Sequence, residues 1–315
     1  MTESTTHDDN KSNKAVIIVG GGPSGACIAK AMLDRGYTNT HLYEAYPHPR
    51  TLDKTSDKAY VIALNQRGQQ GILQSTGIDI LKESQEGIGG GLVNHEVAAH
   101  VYNSRTEQAS VKLRRFGKEN PQVIIPRKKL TERLLDAAEE SGVKVQYQHR
   151  LIGVNFEDRI AIFSVAEENS KKGKEEEEKI PRILGVKYDL LIGADGCNSK
   201  VRNLMVQDKN IMSEFTARTE QDSMEYQVAV LPENPFGNMY SEGTFHNWGN
   251  KELNALALGF PIKNNNTINK KSDDGSSTPS HSMLVAVSFP EGQLQSFRKE
   301  GYRDPLTKLC PDFFV

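Results

Sequence analysis

The chain has 315 residues, enough to bury one large core or two modest ones. Hydrophobic residues make up 37% and charged residues 25%; 39 basic against 41 acidic side chains leave a formal net charge of -2, which argues against nucleic acid or an anionic membrane as the main partner. The cysteines Cys27, Cys197 and Cys310 are odd in number, far apart and without a Cys-x-x-Cys pair, so no disulfide framework or zinc site is indicated and a reducing, cytoplasmic setting is expected.

Residues 1–13 are polar and lack the apolar core of a signal peptide or the arginine pattern of a transit peptide, so they read as a disordered, solvated tail. No apolar run is long enough to span a bilayer. Ala15 to Val19 is a continuous β-branched run ending in glycines, as in a strand buried on both faces of a parallel sheet. Small and apolar residues then recur at helical spacing from Pro23 to Arg35, and Gly36 supplies a stop. Thr40 to Glu44 is a second strand, which completes a βαβ unit. Asn65 caps a helix that closes near Gly77, and a further helix runs from about Lys128 to Ser141, with Gly142 just past its end. Val143 to Tyr147 is a strand, Leu151 to Phe156 and Ile160 to Val165 form an antiparallel pair, and Tyr188 to Ile192 is another buried strand. The charge-rich stretch Glu167–Lys179 and the polar stretch Lys263–His281 read as expanded hairpin loops, because lengthening a loop costs only about 0.6 kcal/mol per doubling.

Three constellations carry chemistry. Gly20, Gly22 and Gly25, with Ser24 between the last two, form a Gly-x-Gly-x-x-Gly between the first strand and its helix. In such a turn the first glycine permits the bend, the second admits a pyrophosphate and the third allows close helix–strand packing; the helix N-terminus attracts the phosphates. Glu44, at the end of the second strand, stands where an acid accepts hydrogen bonds from an adenosine ribose. NAD and FAD present the same half to this arrangement, so the motif leaves both open. Asp195 and Gly196 follow the apolar run Tyr188–Ile192 and precede Ser199, a cap for a short helix; alone, Asp195 is equally a turn and capping residue. Arg127 opens the helix after Ile124-Ile125-Pro126, either as a surface residue or as a phosphate partner.

The run Tyr188-Asp189-Leu190-Leu191-Ile192-Gly193-Ala194-Asp195-Gly196 resembles the Asp-Gly fingerprint of the aromatic-hydroxylase class of FAD-dependent monooxygenases. Within it the resemblance is strongest to the kynurenine 3-monooxygenase family, through Leu42-Tyr43-Glu44-Ala45, Ile62-Ala63-Leu64-Asn65-Gln66-Arg67-Gly68, His149-Arg150-Leu151, Phe245-His246-Asn247-Trp248 and Cys310-Pro311-Asp312-Phe313. The resemblance implies an α/β fold: a Rossmann-like FAD-binding domain with a parallel sheet (14–87 and 117–206), plus an antiparallel-sheet (α+β) substrate domain (88–116 and 207–315). It implies FAD as cofactor, NADPH or NADH as co-substrate, and transfer of an oxygen atom from O2 to an aromatic small molecule. It also sets Asp195 and Gly196 near the flavin pyrophosphate and Arg127 on the flavin side. Where the family grips a substrate carboxylate with arginine, this sequence has Val97, or His95 two residues earlier; a pocket tyrosine becomes Phe116, and an arginine before the Ile62 strand becomes Lys58. The expected substrate is therefore aromatic but not held by that clamp. No side chain is assigned as general acid or base, and no metal is expected. After Asp195-Gly196 no Gly-Asp pair follows on a final apolar strand, so the chain is expected to stop before the fold is complete. That keeps open a truncated or non-catalytic flavin-binding protein, or a flavin reductase or epoxidase on the same fold.

Overall fold

In the computed structural model the described residues are 9–51, 60–103, 108–116, 120–166, 181–210, 213–220, 223–231, 236, 239–241, 243–250, 254–263, 281–293, 295 and 309–310. The charge-rich and polar loop stretches, Lys58 and the segment after Cys310 lie outside them. In chain order the elements are α1 (Asp9–Ser12), β1 (Val16–Val19), α2 (Pro23–Asp34), β2 (Thr40–Tyr43), β3 (Val61–Leu64), α3 (Gln66–Thr76) and α4 (Ile80–Gln85). Then come β4 (Leu92–Asn94), β5 (Glu96–Asn103), β6 (Gln108–Arg115), β7 (Gln122–Pro126), α5 (Arg127–Glu140), β8 (Lys144–Gln146), β9 (His149–Asn155) and β10 (Ile160–Val165). The last are β11 (Arg182–Lys187), β12 (Leu190–Gly193), α6 (Lys200–Gln207), β13 (Met224–Leu231), β14 (Phe245–Asn250), β15 (Ala255–Lys263) and β16 (His281–Pro290).

The chain divides into two compact units: residues 1–57, 74–77 and 130–219, and residues 58–73, 78–129 and 220–315. In the first, β12, β1, β2 and β8 form an all-parallel sheet in that order. β1 lies at its centre and all four of its side chains are buried, which is why its sequence is an unbroken apolar run. Each such Val or Ile contributes about 1.5–3 kcal/mol on burial. α2 lays the small residues Gly25, Ala26 and Ala29 inward, so the helix axis approaches the sheet closely. The antiparallel sheet β11-β10-β9 packs Phe163 on Tyr43, ring centroids 4.3 Å apart. The strands β10 and β11 that flank the charge-rich stretch pair antiparallel, as do β15 and β16 around the polar one.

The second unit holds a six-stranded sheet, β13-β16-β15-β14-β5-β6, and a three-stranded one, β3-β7-β4. The larger sheet is antiparallel except where β14 runs parallel to β5. Trp248, Ala257, Val287 and Phe289 fill its buried side. Residues 58–73, 78–87 and 117–129 group with this unit instead of with the parallel sheet where the sequence placed them. The reason is local pairing: β7 hydrogen-bonds antiparallel to both β3 and β4, which binds those segments together. Among the described residues no helix is long and apolar enough to cross a membrane.

Candidate functional site

The glycine turn and the Asp-Gly turn meet in the first unit. β1 and β12 are parallel neighbours with Val19 opposite Gly193, so the chain leaves both strands at the same end of the sheet. Gly20 adopts φ +105°, and a Cβ there would lie 2.5 Å from the carbonyl oxygen of Ala194 and 2.8 Å from Cα of Asp195. A Cβ on Gly25 would come within 1.8 Å of the Gly20 carbonyl oxygen. Gly20 is thus required by its contact with the Asp-Gly turn, and Gly25 by its contact within the glycine turn itself. Gly22 is different: it is the N-cap of α2 with φ −68°, a backbone open to any residue. Pro23 and exposed Ser24 follow; no side chain caps this helix, and its first turn holds no acid. Its N–H groups and positive dipole end are therefore presented to an anion.

Glu44 ties the turn to β2. Its Oε2 accepts from the Gly21 N–H at 2.5 Å, and its Oε1 from the Tyr46 N–H at 2.9 Å. A carboxylate has about four lone-pair sites, so acceptor capacity remains for ribose hydroxyls. Asp195 uses its carboxylate to cap α6: Oδ1 accepts from the Ser199 hydroxyl at 2.6 Å, and Oδ2 from the N–H groups of Lys200 and Val201 at 2.6 and 3.1 Å. Ser199 in turn accepts from the Arg202 N–H at 3.0 Å. Gly196 supplies the positive φ, +82°, that lets the strand reverse into this cap.

The other candidates belong to the second unit. Arg127 opens α5; its N–H donates to the Tyr60 carbonyl at 3.1 Å and its guanidinium lies 5.4 Å from the Tyr60 ring centroid. His95, Val97 and Phe116 come together at the start of the β5–β6 hairpin, where the Phe116 N–H donates to the His95 carbonyl at 2.8 Å. His95 is exposed, and Val97 and Phe116 are half-buried.

Two clusters on the buried side of the same sheet had no sequence signal. The Glu96 carboxylate accepts from Thr244 at 2.7 Å and Ser241 at 2.8 Å, with Arg115 at 3.4 Å. The Thr244 bond, more than any other, holds its pKa below the usual carboxylate range. His100 Nε2 and His246 Nδ1 share a hydrogen bond of 2.9 Å among Trp248, Phe236 and Tyr240. The partners sit about 145 residues apart, so only tertiary pairing reveals them.

In the first unit His48, Asp136 and Glu139 bring potential ligand atoms within 4.8 Å of one another. Their bonds point to a hydrogen-bonded network. His48 Nδ1 accepts from the Arg50 N–H at 3.1 Å, which leaves the ring proton on Nε2, facing Asp136. Asp136 also receives the Arg50 guanidinium, and Glu139 accepts from the Tyr147 hydroxyl at 3.1 Å.

The family described as "FAD binding domain" matches residues 13–234. The chain belongs to that family. As an FAD-binding protein it is similar to the "Kynurenine 3-monooxygenase" of Xanthomonas axonopodis pv. citri (strain 306), with 27% identity over 250 residues, 78% of this chain and 49% of the relative. The like-named protein of Stenotrophomonas maltophilia (strain K279a) is 28% identical over 200 residues, 61% of this chain and 38% of the relative. The chain spans about half the length of the first of these curated relatives and less of the second. Among solved structures, a myxobacterial chondrochloren halogenase aligns with TM-score 0.63 at 15% identity, covering 95% of this chain and 58% of its own. A flavoprotein/dehydrogenase from Cytophaga hutchinsonii aligns with TM-score 0.59 at 13% identity, covering 94% and 62%. These two likenesses establish the α/β flavoprotein fold with its parallel and antiparallel sheets.

The residues present fit the cofactor this family binds. The tight Gly20–Ala194 approach, the side-chain-free Gly22 and the uncapped α2 form a cradle for a pyrophosphate, with Glu44 beside it for the ribose.

Proposed function

We propose that the protein is an FAD-dependent monooxygenase that uses NADPH or NADH and O2 to hydroxylate an aromatic small molecule. The observation that carries this reading is the junction of the two turns, Gly20 against Ala194 and Asp195, in an FAD-binding chain whose curated relatives bear the name kynurenine 3-monooxygenase. The names of the fold neighbours span halogenase and dehydrogenase, so the fold leaves the reaction open and the relatives supply the support for oxygen transfer.

FAD, when bound, accepts a hydride and activates O2. The protein's own residues bind and orient it. Gly22 and the α2 N-terminus take the pyrophosphate, Glu44 takes the ribose, and Asp195 holds α6 and the second turn in place against the first. On this reading the first unit is the FAD-binding domain, and the second, carrying His95, Val97 and Phe116, is the substrate domain. Arg127 offers a permanent positive charge to an anionic group.

The test is to reconstitute the protein with FAD and supply NADPH or NADH with aromatic candidates under 18O2. The expected outcome is nicotinamide oxidation stimulated by one candidate, with a single 18O atom in its product. Stimulated oxidation that yields only peroxide and no labelled product would instead assign a flavin reductase.

A further inference from the structure

The two outer strands of the six-stranded sheet are built differently. β6 closes one side with Lys112, Arg114 and Arg115, all exposed, and such cations keep a strand edge from pairing with another chain. β13 closes the other side with Met224-Glu225-Tyr226-Gln227-Val228-Ala229-Val230-Leu231, which holds no lysine, arginine, proline or glycine. Its register against β16 runs from Met224 opposite Pro290 to Leu231 opposite Met283 with no bulge. Neither cations, proline nor a bulge therefore blunts this edge. Alternate residues share a face, and on that face Tyr226, Val228 and Val230 are 66%, 39% and 48% exposed. Leu256 on β15 extends the apolar surface inward, since it and Tyr226 both stand opposite Ser288. Among the described residues no further strand pairs with the outer side of β13.

We infer that β13 pairs antiparallel with the β13 of a second copy of this chain, around a twofold axis at Ala229, so that the two sheets become one. Val228 then stands opposite the partner's Val230, and Gln227 opposite the partner's Leu231, with backbone hydrogen bonds between them. Charge and closure select this pairing from the three that the sheet's two edges allow. β6 against β6 would set cation against like cation about 4.5–5.5 Å apart. β6 against β13 would desolvate Lys112 and Arg114 beside valines and leave one edge of each kind open, so that growth would not stop. β13 against β13 buries valine on valine, leaves the cationic edges in water and closes at two copies. An edge about 27 Å long and roughly 10 Å deep gives on the order of 500 Å2 over both copies, below a standard interface, so the dimer is reversible.

The experiment is sedimentation velocity of the full chain from about 1 to 200 µM, a range that brackets weak association. Amide hydrogen exchange over residues 224–231 is followed at both ends of that range, and emission from buried Trp248 in the same unit checks that each protein is folded. The expected result is a monomer that passes to a dimer and no further, with slower exchange in β13 at the higher concentration. Val228→Lys, which places a charge on the edge, should weaken the dimer at least tenfold, whereas Ser110→Lys on exposed β6 should leave it within about twofold. A wild-type chain that stays monomeric throughout, or that grows past the dimer, overturns the proposal. So does a dimer with unchanged exchange in β13, one that survives Val228→Lys, or one lost equally in Ser110→Lys. The wild-type series decides even where Val228→Lys fails to fold.

Discussion

At Gly20 and Gly22 two glycines of one motif answer to different constraints. Gly20 combines φ +105° with a Cβ position 2.5 Å from a backbone oxygen, so Gly20→Ala must distort either the turn or β12. A strained backbone of this kind costs on the order of 1–3 kcal/mol before the overlap is relieved. Gly22 sits at φ −68°, where alanine meets no backbone strain. The expected outcome is a clean separation. Gly20→Ala lowers the melting temperature and loses FAD together, whereas Gly22→Ala melts within a few degrees of wild type but binds FAD at least tenfold more weakly. Thermal unfolding with and without FAD, beside a flavin titration, checks both. A Gly22→Ala protein with full flavin affinity would show that the pyrophosphate does not approach this position.

At the scale of elements, the Glu96 cluster joins β5 to the loop before β14, and it makes the second unit sensitive to acid. Its carboxyl is held below the usual range, chiefly by the Thr244 hydroxyl, so it binds its proton less readily folded than unfolded. That contribution is fully present above the unfolded value of about 4.3 and disappears as pH falls through the lower folded value. Glu96→Gln should therefore cost about 1–3 kcal/mol at neutral pH, and the gap to wild type should narrow at a pH below the unfolded value of about 4.3, as the lower folded value is passed. Urea unfolding of both proteins at the two pH values tests this; a constant gap would remove the charge from the explanation. Local patterns reached some elements and not others. β1, α2 and β2 were legible because a buried parallel strand is apolar throughout and glycines punctuate it, and Asn65 showed itself as a cap through the bond it now makes to the Gly68 N–H at 3.0 Å. The pairing of β7 with both β3 and β4 was not legible, since register between segments distant in sequence leaves no periodic trace, and it moved residues 58–73 into the second unit. The candidate site divides the same way. Gly20, Gly25 and Glu44 could be read in order along the chain, and Asp195 as a capping residue from its local spacing, but the seating of Gly20 on Ala194 is a tertiary fact.

For the whole molecule, two compact units with separate sheets give cofactor binding a measurable signature. A ligand that binds only the folded state stabilises it by RT ln(1 + [L]/Kd), about 2.7 kcal/mol at a hundredfold excess over Kd. For a unit of roughly 150 residues each kcal/mol raises the midpoint by about 2–4 °C, so saturating FAD should raise the transition of the unit that holds it by roughly 5–10 °C. The glycine turn, Glu44 and the Asp195 cap all lie in the first unit, whose core is the parallel sheet. Trp248, the one tryptophan, is buried in the second, so its fluorescence reports that unit separately. Heating followed by far-ultraviolet circular dichroism and by tryptophan emission should give two transitions, of which FAD moves the one that tryptophan does not report. Gly22→Ala should abolish that shift while leaving the tryptophan transition in place. A single transition seen identically by both probes, shifted as a whole by FAD, would mean that the units unfold cooperatively; an absence of any shift at saturating FAD would remove the cofactor from the first unit.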